Sequence, residues 1–223
     1  MKIYPPKIFP AAKDAVFFKL SDEEFDILNK EIVEIQEKII HKNDTELKKI
    51  EYNNKLAGHI RHQYSLSVES KNYLQEILKP VVTESVFKQN RPILLSDQNI
   101  VLCNSLKKDD KCWVNFQKKY EFNPVHHHSG YLSFVIWMKI PYLMEEENKH
   151  ENIIKKDDIS ENINGDFQFI YANEHGVESV ALRVDNRWEK RGVMFPSNLS
   201  HIVYPFYTSD DYRISISGNF WIK

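Results

Sequence analysis

The chain has 223 residues, and its 30 lysines and arginines nearly balance its 32 aspartates and glutamates, which gives a formal net charge of −2. A near-neutral chain has no overall electrostatic field that would attract nucleic acid or an anionic membrane, so neither is expected as a partner. Hydrophobic residues make up 42% and charged residues 28% of the chain, which is an ordinary globular balance with enough apolar material for a core.

The N-terminus and the cysteines bear on the cellular compartment. Pro5, Pro6 and Pro10 interrupt any apolar segment near the start, so we expect no secretory signal. No apolar stretch reaches the roughly 18 residues that a membrane-spanning helix needs. Cys103 and Cys112 are too few to build a disulfide framework, and without a CxxC pair neither is expected to ligate a metal. The sequence therefore predicts a cytoplasmic protein.

Residues 1–95 are predicted to form a largely helical support. Ser21 to Glu24 have the pattern of a capping box. Apolar residues then recur at spacings of three and four, which predicts a helix from about Ser21 to His41: Phe25, Leu28, Ile32, Ile35 and Ile39. The charged segment 42–54 predicts a turn or loop, and Pro80 should kink or divide a second helical region. The apolar stripe of the first helix fits a helix that covers a sheet, and a homodimer interface along it stays open.

Residues 96–223 show a different pattern, in which short runs rich in β-branched and aromatic residues alternate with polar turns. The runs cover residues 100–102, 112–116, 131–140, 167–171, 177–184, 193–196, 202–207 and 212–222. Many short strands without intervening helices indicate an antiparallel sandwich or barrel. The charged segment from Met144 to Gly165 is interpreted as a mobile loop or a lid. The sequence thus predicts a mainly β fold with N-terminal helices (α+β), in which both parts form one folding unit.

A triplet of histidines is the first chemical signal. In a β-strand, residues i and i+2 point to the same face, so His126 and His128 would face one way and His127 the other. Two imidazoles at this spacing can bind one metal ion through their ring nitrogens. A histidine-rich polar turn that binds metal only adventitiously is the alternative.

A second group of candidates lies near the C-terminus. His201 follows the sequence Phe195-Pro196-Ser197, and Arg213 opens a run in which polar and apolar residues alternate. The polar positions of that run share one face: Arg213, Ser215, Ser217 and Asn219. On the inner face of a barrel these groups would need partners, and a bound carboxylate would supply them through paired hydrogen bonds to the guanidinium. An outward polar face with the alternating apolar residues in the core explains the pattern equally well.

Taken in order along the chain, these motifs resemble the 2-oxoglutarate- and Fe(II)-dependent oxygenases. The resemblance is closest to the prolyl-hydroxylase-like families that are common in phages and marine bacteria. It covers about half of the chain, from Cys112 to the C-terminus, and rests on an ordered series of short motifs: Trp113-Val114-Asn115, His126-His127-His128, Leu132 to Trp137, Pro141, Phe195-Pro196-Ser197, His201, Pro205 and Arg213 to Asn219.

The resemblance implies a double-stranded β-helix, or jelly roll, with an Fe(II) site at its mouth. The implied metal ligands are His126, His128 and His201, and Arg213 would hold the distal carboxylate of 2-oxoglutarate with help from Ser215. Asn115 would lie near the cosubstrate or the substrate. The implied reaction uses O₂, releases succinate and CO₂, hydroxylates a small-molecule or peptide substrate, and is assayed with ascorbate present. If the chain is phage-encoded, the host cytoplasm is its compartment.

His128 stands where many of these oxygenases carry an aspartate. This change removes a negative charge from the site, which should weaken Fe(II) binding and favour other metals that bind imidazole. A ligand set that uses His127 in place of a neighbour disagrees with strand alternation. Two further hypotheses remain: a catalytically silent jelly-roll module with a structural metal such as zinc, and a cupin-like dioxygenase without a cosubstrate. The residues from Ser129 to Val135 lack the glutamate ligand of the cupin pattern.

Overall fold

A computed structural model of the chain describes residues 1–4, 15–53, 56, 58–88, 100–102, 112–150 and 162–222. The described helices are α1 (Asp22–Ile40), α2 (Asp44–Ile50), α3 (Val68–Lys88) and α4 (Met144–Glu147), and a 3-10 turn covers Asn186–Trp188. The described strands are β1 (Lys2–Tyr4), β2 (Val16–Lys19), β3 (His62–Ser65), β4 (Ile100–Leu102), β5 (Cys112–Gln117), β6 (Asn123–His126), β7 (Leu132–Lys139), β8 (Phe167–Asn173), β9 (Gly176–Leu182), β10 (Arg191–Pro196), β11 (Ser200–Val203) and β12 (Arg213–Ile222).

The strands form two antiparallel sheets. The larger sheet has the order β1-β2-β10-β7-β12-β5-β3. Its eighth strand, β4, also pairs with β12 but is not part of this linear order. The smaller sheet has the order β6-β11-β8-β9. From β5 onward the chain passes back and forth between the sheets, so that β5, β7, β10 and β12 lie in one and β6, β8, β9 and β11 in the other. This eight-strand arrangement is the double-stranded β-helix, or jelly roll, that the sequence predicted.

Side-chain alternation gives the larger sheet two apolar faces. In β7, Phe134, Ile136 and Met138 belong to a core cluster that also contains residues of α1, α2 and α3. The intervening residues Val135 and Trp137 belong to a second cluster, which lies between the two sheets and includes Phe167, Phe169 and Phe195. A strand that is buried on both faces has no solvated side, which is why β7 is apolar at nearly every position. The helices therefore cover the outer face of the larger sheet, and its inner face packs against the smaller sheet inside the barrel.

Helix α1 confirms the sequence prediction in detail. Ser21 is its N-cap: the Ser21 hydroxyl accepts a hydrogen bond from the Glu24 amide, and the Glu24 carboxylate accepts one from the Ser21 amide. Leu28, Ile32 and Ile35 are buried against the sheet, as the spacing of three and four residues requires. The capping box and the apolar stripe thus agree on both the start and the orientation of this helix.

Several local predictions need correction. The segment predicted as a loop between the helices contains α2, with Leu47 buried beneath it. Helix α3 runs through Pro80 without being divided, so of the two expected effects of Pro80 only a kink stays a prediction. Strands β1, β2 and β3 of the N-terminal part join the larger sheet, although their sequences are too short to show a strand pattern. Strand β6 ends at His126, so that His128 lies beyond the strand rather than within it.

Other predictions fall partly outside the described residues. Cys112 is buried in β5, whereas Cys103 and the boundary between residues 95 and 96 lie outside the described part of the chain. The segment predicted as a loop from Met144 to Gly165 is packed at both of its described ends, with Glu147 and Gly165 buried. None of the helices in the described part of the chain combines the length and apolar character needed to cross a membrane.

Replacing Ile32 by alanine tests whether the helical support and the barrel unfold together. Ile32 is 1% exposed in the cluster that joins α1 to the larger sheet. We expect Ile32→Ala to lower the free energy of unfolding by about 2–5 kcal/mol, because a buried cavity would remain. Far-ultraviolet circular dichroism and tryptophan fluorescence should shift to the same new midpoint in urea.

Val33, which is 43% exposed on the same helix, provides the control. Val33→Ala should change the free energy of unfolding by no more than about 0.5 kcal/mol. Separate midpoints for the helical and tryptophan signals would contradict a single folding unit.

Candidate active site

Three histidines meet on the inner side of the smaller sheet. His126 at the end of β6 is paired directly with His201 in β11. His128 lies two residues beyond β6, and its backbone amide donates a hydrogen bond of 2.8 Å to the carbonyl of Ser197. One potential ligand nitrogen from each of these histidines lies within 4.8 Å of the other two. The structure therefore brings together the three residues that the resemblance implied as ligands, and His127 is not one of them.

Backbone hydrogen bonds orient two of the three imidazoles. Nδ1 of His126 lies 2.7 Å from the carbonyl of Pro124, and Nδ1 of His201 lies 3.1 Å from the carbonyl of Leu199. A carbonyl oxygen can only accept, so each Nδ1 must carry the proton. Each Nε2 then keeps its lone pair. Fixing the tautomer in this way is how proteins prepare histidine for a metal ion.

The surroundings favour the neutral form of two of the imidazoles, those of His126 and His201. His201 is 3% exposed, and burial together with the neighbouring His126 and His128 holds its pKa well below the usual value for histidine. Burial also lowers the pKa of His126. Phe167 stacks on the ring of His201, and Phe195 meets it edge-on. Neutral imidazoles with free lone pairs fit a divalent metal ion, because protons compete with the metal only at lower pH.

The histidines open into a cavity of about 540 Å³ inside the barrel. All four polar residues of β12 line it: Arg213, Ser215, Ser217 and Asn219. The alternating apolar residues Ile214, Ile216 and Phe220 point to the opposite side and pack into the cluster beneath the helices. The inward polar face is therefore confirmed and the alternative of an outward polar face is wrong, because this strand is buried on both of its faces.

Asn115 in β5 lies opposite Ser215 and is buried in the cavity wall. Its Oδ1 accepts hydrogen bonds from Nε2 of Gln63 (2.8 Å) and from Nε1 of Trp113 (3.1 Å). Two donors on one side fix the orientation of the amide, and its Nδ2 lies 3.2 Å from Oγ of Ser215 and 3.4 Å from Oγ of Ser217. Asn115 therefore sets the positions of the two hydroxyl groups that face the cavity.

Arg213 is 3% exposed, and each of its five N–H groups has an acceptor. Oε1 of Gln117 accepts from Nε and Nη2, at 3.1 and 2.7 Å. The Tyr142 hydroxyl (2.6 Å) and the carbonyl of Gly165 (2.8 Å) accept from Nη1, and the carbonyl of Tyr204 accepts from Nη2. All of these acceptors are neutral, so the hydrogen bonds satisfy the guanidinium without cancelling its charge.

Several residues of this site could not be identified from the sequence. Gln117 follows Trp113 and Asn115 at the same spacing of two, so strand alternation alone could have suggested it. Gln63, Tyr142 and Gly165 come from other elements, and no sequence pattern connects them with Arg213 or Asn115. Tyr52 of the N-terminal part also went unrecognised. It lines the cavity, and its ring stacks on that of Trp113 with 5.3 Å between the ring centroids.

Comparisons with known proteins bear on this site. None of the curated proteins compared with the chain matches it in sequence. A prolyl-4-hydroxylase from Pseudomonas putida is similar in structure, with 11% identity over 96% of this chain and 97% of that chain and a TM-score of 0.48. The non-heme alpha-ketoglutarate-dependent carbocyclase SnoK from nogalamycin biosynthesis has 12% identity over 97% of this chain and 85% of that chain, with a TM-score of 0.49.

A family comparison covers the jelly roll itself. Residues 111–219 match the family described as "Putative 2OG-Fe(II) oxygenase", where 2OG is 2-oxoglutarate. The matched segment includes the three clustered histidines and the polar face of β12. Enzymes of this family use Fe(II) and 2-oxoglutarate, and a cluster of three imidazoles agrees with such a metal. Residues 111–219 therefore form a domain of the 2-oxoglutarate- and Fe(II)-dependent oxygenase family.

Proposed function

We propose that this oxygenase hydroxylates a small-molecule or peptide substrate while it converts 2-oxoglutarate to succinate and CO₂. The observation that carries the proposal is the cluster of His126, His128 and His201, whose ligand atoms lie within 4.8 Å of one another beside a cavity that also holds a buried arginine. A metal site and a carboxylate site in one cavity are what the reaction needs, because the metal and the cosubstrate must meet.

In this proposal His126, His128 and His201 hold the metal through ring nitrogens. The three histidines would hold one side of the metal, and the 2-oxo acid and O₂ would reach it from the cavity. When bound, Fe(II) together with 2-oxoglutarate supplies the activation of O₂ that hydroxylation requires. The protein's contribution is to fix the imidazoles, and the carbonyls of Pro124 and Leu199 support that role by holding the Nδ1 protons.

Arg213 is proposed to bind the distal carboxylate of 2-oxoglutarate. A buried cation whose acceptors are all neutral is costly, and a carboxylate would supply the missing negative charge. A carboxylate can bind a guanidinium through two parallel hydrogen bonds between opposite charges, so it can replace a neutral acceptor. Ser215 is proposed to assist, because its hydroxyl lies two residues along the same strand face and is positioned by Asn115.

Aromatic side chains are proposed to keep water away from the reaction. Trp137, Phe167 and Phe195 line the barrel side of the cavity, and Tyr52 covers it from the N-terminal part. A site shielded from water would favour reaction with the substrate over side reactions with solvent. The substrate is proposed to enter the same cavity, and a polyanionic partner such as nucleic acid is not expected from the near-neutral charge of the chain.

The function is tested by incubating the purified protein with Fe(II), ascorbate, O₂ and 2-oxoglutarate without any substrate. We expect slow production of succinate that depends on the added iron, because the oxidative decarboxylation of 2-oxoglutarate consumes O₂ and needs no second organic substrate. Zinc in place of iron should give no succinate. A protein that retains zinc tightly and forms no succinate under any of these conditions would instead be a structural-metal module.

The metal ligands are tested by the variant His201→Ala, measured by calorimetric titration with Mn(II). We expect the variant to lose measurable Mn(II) binding, because one of three ligands is gone and two imidazoles bind weakly. His127→Ala is the matched control: it removes an imidazole from the same triplet, but His127 lies outside the ligand cluster. Loss of Mn(II) binding in His127→Ala with retention in His201→Ala would contradict the proposed ligand set.

The carboxylate site is tested by the variant Arg213→Met, which keeps the length of the side chain but removes its charge. We expect the affinity of the Mn(II)-loaded protein for 2-oxoglutarate to fall about 30-fold or more, since removing one partner of a buried charged pair costs roughly 2–5 kcal/mol. The affinity for Mn(II) should remain, which shows that the barrel is folded. Unchanged binding of 2-oxoglutarate would mean that its distal carboxylate lies elsewhere.

A further inference from the structure

Gln117 is the residue most closely engaged with Arg213. The two residues are directly opposite each other in the pairing of β5 with β12, and Gln117 is 3% exposed. Its Oε1 accepts from both Nε and Nη2 of the guanidinium, at 3.1 and 2.7 Å. This side of a guanidinium is one where a carboxylate commonly binds with two parallel hydrogen bonds. Here a neutral amide oxygen occupies it.

The orientation of the Gln117 amide is determined by its other end. Nε2 of Gln117 donates a hydrogen bond of 2.5 Å to the backbone carbonyl of Glu121. Because a carbonyl can only accept, the NH₂ group must face Glu121, and the amide oxygen must face Arg213. A glutamate at position 117 would place a carboxylate oxygen against that carbonyl with no proton between them. The local backbone therefore favours an amide over an acid at this position.

A neutral amide at position 117 affects the charge around Arg213 rather than the number of its hydrogen bonds. The remaining acceptors of the guanidinium are a phenol oxygen and two backbone carbonyls, so Arg213 is held in place by neutral groups alone. Two buried carboxylates lie near Tyr142, but neither accepts a hydrogen bond from the guanidinium. Glu147 accepts from the amides of Tyr207 and Thr208 and from the Thr208 hydroxyl, and Asp166 follows Gly165 in the chain. An arginine that is already paired with a buried acid would have little attraction left for an incoming anion.

We propose that Gln117 is a positioning residue that orients the guanidinium of Arg213 without adding a negative charge to it, so that the guanidinium stays available to the distal carboxylate of the 2-oxo acid. The inference rests on the proposed function, because it takes Arg213 as the partner of the distal carboxylate. Gln117 itself does not bind the cosubstrate. It determines both the direction in which the guanidinium faces and the charge that it presents.

Two substitutions separate orientation from charge. Gln117→Glu has nearly the same shape and can still accept from Nε and Nη2, but it neutralises Arg213. Gln117→Met removes both hydrogen bonds and leaves the charge in place. If the charge presented by Arg213 is what matters, Gln117→Glu should weaken binding of 2-oxoglutarate more than Gln117→Met does. If orientation alone matters, the order should be reversed.

The experiment measures the affinities of the full-length, Mn(II)-loaded protein for 2-oxoglutarate and for oxalate by calorimetric titration. Oxalate chelates the metal but has no distal carboxylate, so its affinity reports on the metal site alone. The matched control is Gln168→Glu, which adds the same negative charge at a buried glutamine of β8 in the opposite sheet. Thermal unfolding of each variant provides a check on folding.

We expect Gln117→Glu to weaken binding of 2-oxoglutarate about tenfold or more and to leave oxalate within about twofold, because only the distal carboxylate meets the neutralised arginine. Gln117→Met should weaken 2-oxoglutarate less than Gln117→Glu, and Gln168→Glu should bind both ligands as the unaltered protein does. If Gln117→Glu does not fold, a loss in Gln117→Met equal to that in Arg213→Met would still overturn the proposal.

Three other outcomes overturn the inference: normal 2-oxoglutarate binding by Gln117→Glu, a weaker affinity in Gln117→Met than in Gln117→Glu, and parallel losses of 2-oxoglutarate and oxalate. Failure of the proposed function has a different signature, since the unaltered Mn(II)-loaded protein would then bind oxalate but show no measurable affinity for 2-oxoglutarate.

Discussion

The two-residue alternation of strand β12 is the constraint on which the rest of the structure depends. Ile214 and Ile216 point outward and pack beneath the helices, whereas Arg213 and Ser215 point into the cavity of the barrel. The same strand pairs with β5 and β7 and so lies at the centre of the larger sheet. Because each residue can face only one way, a shift of one position would exchange the core and the active site.

The polar groups around Asn115 and Arg213 are stable inside the barrel because they form hydrogen bonds with one another and with neighbouring backbone carbonyls. Asn115 joins Gln63 to the hydroxyls of β12, and the neutral acceptors around Arg213 satisfy every N–H of the guanidinium. Burying such a network costs free energy when any one polar group in it lacks a hydrogen-bond partner. Residues that are distant in sequence therefore depend on one another for the stability of the cavity wall. The N-terminal part therefore does more than support the barrel: through Gln63 it takes part in the order of the cavity wall.

Local sequence patterns predicted those features that arise within one segment. Such features depend only on residues a few positions apart. They include the capping box and apolar spacing of α1, the strand pattern of residues 96–223 and the spacing of His126 and His128. Strands β1, β2 and β3 were missed because three or four residues carry too little pattern, and α2 was missed because its sequence is mostly charged. Their structure is stabilised by partners from elsewhere in the chain.

By itself, the sequence determined the fold class, the family and the three histidines, because spacing along a strand and an ordered series of motifs are local properties. Only the tertiary structure decided that His126 pairs with His201, that the polar face of β12 points inward, and that Gln117 and Tyr142 hold Arg213. The physical reason is that sheet register and closure of the barrel bring together residues separated by 71 to 96 positions, and no local pattern encodes which of them will meet.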